Sequence, residues 1–189
     1  LIPDVDDWFT NQGVIEFATG KKLSGGNGFN LFTWLPHTDA AVWTVFAITI
    51  VTAITMTLGL FTRASMIVLF LTLLTLHHRN PLILNSGDTF MRIALFYTMF
   101  SQAGAALSLD RLIRIARGKE SGPPAPRAPW AMRLIQLQLT FVYLYTFIWK
   151  TMGAMWLSGT AVYYTSRISD FWRFPIPYIF EHMWTIKLW

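Results

Sequence analysis

Lys150 stands in the run TFIWKTMGAMWL, between Trp149 and Thr151 and shortly before Trp156. An amine in a desolvated pocket can lose its proton near neutral pH and act as a base, with Tyr143 and Thr151 placed to assist. The commoner reading of a lone lysine at the end of an apolar run is a side chain that snorkels to the membrane surface. His77 and His78 are a second candidate group. Imidazole suits the metal of a haem or a chlorophyll-type pigment, although paired histidines beside Arg79 at a helix end are more commonly interfacial. Asp88 and Arg92 stand four residues apart. On one helical face they can pair, which lowers the cost of a cation near the membrane.

The remaining polar chemistry is sparse. The chain has no cysteine, which excludes disulfides, thiolate metal sites and cysteine nucleophiles. It contains no Gly-rich phosphate loop, no GxSxG and no HExxH. Of its 189 residues 53% are hydrophobic and 13% charged, against about a quarter charged in a typical soluble domain. This composition points to an integral membrane protein. The basic residues lie between apolar runs, a pattern that fits membrane topology rather than nucleic-acid binding. No basic segment followed by an apolar run opens the chain at Leu1, so no signal peptide is expected in this stretch.

The elements that would position these residues follow from hydropathy. Residues 1–38 are polar, rich in Gly and Asn, and carry Trp8, Phe9, Phe17, Phe29, Phe32 and Trp34. Such a segment either lies on the membrane with its rings at headgroup level or packs on its own protein. The first span is Ala40 to Phe61, about 22 residues where about 20 suffice to cross, with Asp39 as its expected N-cap. A very short turn at Arg63 leads to a second span, Ala64 to Leu76, closed by His77, His78 and Arg79. The two should form an antiparallel hairpin. NPLILNSG is a loop, and Asp88 is expected to cap a third span that runs to about Leu107.

Residues 108–133 form the longest polar connection. Arg111, Arg114, Arg117, Lys119 and Arg127 make it a membrane-surface loop facing anionic lipids, and the positive-inside rule makes it cytoplasmic. Residues 1–38 and 158–189 then lie on the outer face. The fourth span is Arg133 to Leu157. Its Gln136, Thr140, Tyr143 and Lys150 fall at i, i+4, i+7 and i+14 and share one face. Lys150 lies about 25 Å along the helix from Arg133, near the outer interface. After Gly159 the chain is aromatic and broken by Pro175 and Pro177, and it is expected to end in a short helix, Tyr178 to Trp189. The fold class is all-α and integral to the membrane, with about four transmembrane helices in antiparallel hairpins plus amphipathic interfacial segments.

Three segments resemble the HTTM family. PDVDDWFTNQGVIEF resembles the segment after that family's first helix, and HHRNPLILNSGDTFMRIALFY its central loop and following helix. Gln136, Gln138, Tyr143, Lys150, Trp156 and Gly159 resemble its signature helix. These membrane proteins are related to the vitamin K-dependent gamma-glutamyl carboxylase. The resemblance implies one HTTM-like domain over residues 1–189, partial in that family helices before and after it are not present. In the carboxylases two adjacent lysines precede the tryptophan, and the second is the proposed base toward vitamin K hydroquinone. Alignment on Trp156 and Gly159 puts Lys150 at the first lysine and Thr151 at the second. Threonine cannot serve as that base. The carboxylase histidine of the central loop has no match either, since its place falls near Gly87. The resemblance therefore implies the fold more than the chemistry.

The expected function is that of a non-catalytic accessory subunit of a larger membrane complex, partnered by the lipid bilayer and other membrane subunits and not by nucleic acid. The alternatives are a quinol-linked membrane enzyme with Lys150 as base, and a haem- or chlorophyll-binding subunit through His77 or His78. The residues name no cofactor.

Overall fold

The structure is a computed structural model and describes residues 4–26, 28–124, 126, 128–168, 182 and 184. The described residues form helices and turns, with no strand among them. The chain divides into two compact units, Leu1–Ile135 and Gln136–Trp189.

The first unit opens with two short helices, α1 (Val5–Phe9) and α2 (Phe17–Leu23). They do not float as a tail. Val5, Phe9 and Phe32 are buried with Val42, Val45 and Leu76, and Trp8, Phe17 and Phe46 pack around them. Of the two readings of this segment, packing on its own protein is the observed one for these rings; Trp34 stays 71% exposed.

Helix α3 spans Asp39–Leu58. Its cap is Thr38, whose hydroxyl accepts from the Ala41 amide at 3.4 Å; Asp39, the expected cap, sits in the first turn instead. The helix stops at Gly59, before the expected Phe61. Gly59 takes a left-handed φ of 69°, and the Leu60 amide bonds back to the Thr55 carbonyl at 2.9 Å, a Schellman ending that favours glycine. Phe61 also has a positive φ, 46°, so the chain reverses within a few residues into α4 (Thr62–Arg79). The two helices pack along one another as the expected hairpin, and Thr55 donates to Ser65 across it at 3.0 Å.

Helix α5 covers Ser86–Phe100. Its cap is Asn85, in a reciprocal box with Asp88: the Asp88 amide donates to Asn85 Oδ1 and the Asn85 amide to Asp88 Oδ2. The helix ends at Phe100 rather than near Leu107, because Ser101 turns extended. Leu95 of α5 closes a core with Met66 and Leu69 of α4. Helix α6 (Leu109–Ala116) follows, capped by Ser108, whose Oγ accepts from the Arg111 amide at 3.1 Å.

Helix α7 runs Trp130–Met152 into the second unit. Gly153, with an extended ψ of 118°, breaks it before the short α8 (Ala154–Leu157), so the expected continuous span to Leu157 is interrupted. Helix α9 (Ala161–Thr165) packs on α8. Among the described residues two helices, α3 and α7, are long and apolar enough to cross a membrane. Helices α4 and α5 have 18 and 15 residues, about 27 and 22 Å. The helix expected at Tyr178 to Trp189 and the loop residue Arg127 lie outside the described residues.

Candidate functional site

Within the first unit, the end of α4 is the point on which the opening segment is hung. Arg79 is 2% exposed. Its Nη2 donates to the carbonyls of Thr10 at 2.8 Å and Ile15 at 3.0 Å, and lies 3.5 Å from Asn11 Oδ1. The guanidinium carbon stands 5.5 Å from the centre of the Phe17 ring, a cation–π contact. Nη1 has no hydrogen-bond partner among the described residues. The side chain borders a cavity of about 10 Å³ shared with Phe9, Asn11, Phe17, His37 and Asp39, the size of roughly one water molecule. Asn80 continues the attachment. Its Nδ2 donates to the Trp8 carbonyl at 2.8 Å, and its Oδ1 accepts from the Leu82 amide.

The two histidines just before Arg79 are half-buried. His78 Nδ1 lies 2.6 Å from the Phe29 carbonyl. A carbonyl only accepts, so this nitrogen carries the proton. The ring packs against Gly28, where a Cβ would stand 2.8 Å from that same Nδ1. His77 Nδ1 faces Arg92 Nη1 at 3.5 Å. Asp88 and Arg92 thus have different partners: the carboxylate closes the α5 cap and the guanidinium reaches toward His77. No group of three or more His, Asp or Glu side chains suited to a metal occurs among the described residues.

At the other end of α3 and α4, Asp110 of α6 holds the turn. One carboxylate oxygen accepts from the Phe61 amide, the other from the amide and hydroxyl of Thr62, all at 2.8 Å. The Asp110 amide returns a bond to the Gly59 carbonyl at 2.9 Å. Partial burial would raise this carboxyl's pKa, but the bonds from Thr62 and Phe61, with the nearby Arg114 charge, leave it below its ordinary value. Glu120 is held lower by its bond to Arg114, against a smaller opposing effect of burial. It pairs with Arg114 Nε at 2.8 Å and Arg111 Nε at 3.3 Å. A cavity of about 300 Å³ lies between these groups, with Thr62, Arg63 and Gln102 on its wall.

The second unit contains the lysine. Lys150 Nζ stands 4.3 Å from the centre of the Trp156 ring. The break at Gly153 makes this possible, since a straight helix would carry Trp156 onward instead of letting it fold back. Lys150 and Trp156 line a groove of about 690 Å³ with Gln138, Phe141, Tyr145 and Trp149. Of the three residues proposed to act together, only Lys150 lines it. Tyr143 is 70% exposed and outside the lining. Thr151 donates to the Ile148 carbonyl at 2.7 Å, a bond internal to the helix. Of the expected polar face, Gln136, Thr140 and Tyr143 do not line this groove, whereas Gln138 and Tyr145 do.

The HTTM domain model matches residues 17–188, which covers both the α4–α5 region and the α7 helix. The chain belongs to the HTTM family. No curated protein and no solved structure matches it. Membership in this membrane family agrees with the two apolar helices. In this chain the bonds of Arg79 and Asn80 give the HHRN run a physical role, fastening the opening segment to the helices. Sequence reasoning missed Arg79, Asn80 and Asp110 as structural hubs. The available signal was the coincidence of PDVDDWFTNQGVIEF and HHRN within one resemblance, since the first segment supplies the carbonyls that the second one binds.

Proposed function

We propose that this HTTM-family membrane protein acts as a non-catalytic subunit of a larger membrane assembly, with α7 as the face on which neighbouring helices pack. The observation that carries this reading is the groove along α7. Gln138, Tyr145 and Lys150 lie in it beside apolar side chains, and within its unit no described element packs extensively along this helix. Polar groups at membrane depth are costly unless they face protein or water, so a helix of this composition calls for a covering partner. Among the described residues Lys150 is engaged with the Trp156 ring and with no acid or nucleophile.

Helices α3, α4, α5 and α7 make up about four spans in this reading, the two shorter ones accommodated by thinning or snorkelling. The charge distribution within the first unit supports the orientation. Arg63, Arg111, Arg114, Arg117 and Lys119 gather at the α3–α4 turn and α6, which fits a cytoplasmic side by the positive-inside rule. The opening segment gathers at the opposite end of the hairpin.

A quinol-linked enzyme is the second reading. It is favoured by the groove's volume, which lies within the range of small-molecule sites, about 300–1,000 Å³. A photo-crosslinking residue at Tyr145, with Leu139 as an off-groove control, separates the two in native membranes. The subunit reading expects one discrete protein adduct from position 145 and none from 139. It is overturned if position 145 yields no protein adduct and the purified chain alone turns over a quinol in a reaction that Lys150→Arg abolishes.

A further inference from the structure

We propose that α6 lies in the plane of the membrane surface, with its apolar face among acyl chains and its free cations on anionic lipid headgroups. The proposal rests on the membrane reading above and deepens it by assigning one face of one helix to the bilayer.

Leu109, Leu112, Ile113 and Ala116 fall at i, i+3, i+4 and i+7, the spacing of a single helical face. None of them is buried: Leu112 is 61% exposed and Ile113 38%. A helix of eight residues with a bare apolar stripe gains nothing from that stripe in water. Its polar side is basic. Arg111 and Arg114 are tied to Glu120, and Arg111 Nη2 also donates to the Gly122 carbonyl at 2.7 Å. Arg117 and Lys119 remain exposed. This division into apolar and cationic faces is the pattern of an interfacial helix on an anionic membrane.

The helix is also held at the depth where such an interface occurs. Helix α3 has 20 residues, about 30 Å, the thickness of the hydrocarbon core. Its end is therefore at a membrane boundary. The Gly59 carbonyl at that end accepts from the Asp110 amide, and the Asp110 carboxylate binds Phe61 and Thr62. Four bonds thus fix the first turn of α6 to the end of the span. The residues around this junction are apolar and bare, with Leu58 at 52%, Phe61 at 72% and Leu107 at 100% exposure. A soluble partner would require such a patch to be covered by protein, whereas a lipid surface covers it at this depth and neutralises the cations as well.

The chain has no cysteine, so a single introduced thiol reports alone. The test uses the whole protein in vesicles of phosphatidylcholine with phosphatidylglycerol, carrying an environment-sensitive fluorophore at Leu112→Cys, Arg117→Cys or Val51→Cys. The expected result is strong quenching at position 112 by shallow spin-labelled lipid and little at 117. Brominated phosphatidylglycerol should quench at 112 more than brominated phosphatidylcholine does, and Arg117→Gln with Lys119→Gln should cut that preference by about fivefold per cation removed. The proposal is overturned if position 112 is as open to aqueous quencher as 117. It is equally overturned if 112 is shielded from water but not quenched by lipid, which would mean a protein cover. Position 51, inside α3 and bare of protein at 57% exposure, tells the two readings apart. Deep quenching there with a wet 112 sinks the α6 assignment alone, and a wet 51 sinks the membrane reading with it.

Discussion

Arg79 Nη2 stands 2.8 Å from the carbonyl oxygen of Thr10, and this bond joins the last residue of α4 to the end of α1. Together with the Ile15 carbonyl, it turns a cation that looks interfacial in the sequence into the centre of a buried attachment.

Replacing Arg79 by Met should therefore leave two carbonyls unsatisfied in a buried place. Each orphaned group costs about 1–3 kcal/mol, so a loss of roughly 2–5 kcal/mol is expected. Lysine should rescue little, because a single ammonium cannot reproduce the spread of the guanidinium fork. Thermal unfolding in detergent, followed by fluorescence-detected size exclusion, measures both variants. A wild-type melting temperature for Arg79→Met would contradict this role.

Asp110→Asn should release α6 from the α3–α4 turn. The substituted amide cannot accept with both ends, so part of the bonding from Phe61 and Thr62 is lost, at about 1–3 kcal/mol. The wild-type dependence on pH follows from the lowered Asp110 and Glu120 carboxyls. A carboxyl lowered by folding stabilises the fold above its unfolded pKa, and that contribution disappears as pH falls through the lower folded value. Helix α6 should stay protected from hydrogen exchange at neutral pH and open only in acid, below the ordinary carboxylate range of about 4. In Asp110→Asn it should already be open at neutrality. Protection at pH 7 equal to that of the wild type would refute the clamp.

Gly59→Ala should destabilise the hairpin for two reasons at once. The residue needs a left-handed φ of 69°, which costs an L side chain about 1 kcal/mol, and its new Cβ would stand 2.5 Å from Ser108 Cβ. Gly118→Ala is the control, since its φ of 67° is similar but nothing lies within 4 Å of its Cβ. The difference between the two melting temperatures isolates the packing of Gly59 against Ser108. Equal shifts would mean that this contact contributes nothing.

Lys150→Arg should keep the cation over Trp156, whereas Lys150→Met should lose it. An exposed contact of this kind is worth about 0.5–1 kcal/mol, so neither variant should unfold the protein. Partner retention on mild solubilisation should follow the cation: close to wild type for Arg, reduced for Met. Equal retention in both would remove Lys150 from the packing face.

Helical class, the membrane setting, the α3–α4 hairpin and the family were legible in the sequence, because each depends on local hydropathy, chain length or motif order. Hydropathy cannot find where a helix ends when one dihedral decides it. Gly59, Ser101 and Gly153 stop three helices inside runs that remain apolar, so the expected spans to Phe61, Leu107 and Leu157 all overshoot. Nor does spacing along one helix identify the partners of a charge. Asp88 could reach Arg92 four residues on, but the nearer amide of Asn85 claims its carboxylate, and Arg92 turns to His77. Lys150 was visible as an unusual lysine, yet its neighbours are chosen by the fold-back of Trp156 beyond a glycine break. Arg79 and Asp110 show the same limit most clearly. Their partners lie 64 to 69 and 48 to 51 residues away, and separations of that length acquire meaning only when tertiary packing brings the backbone groups within reach.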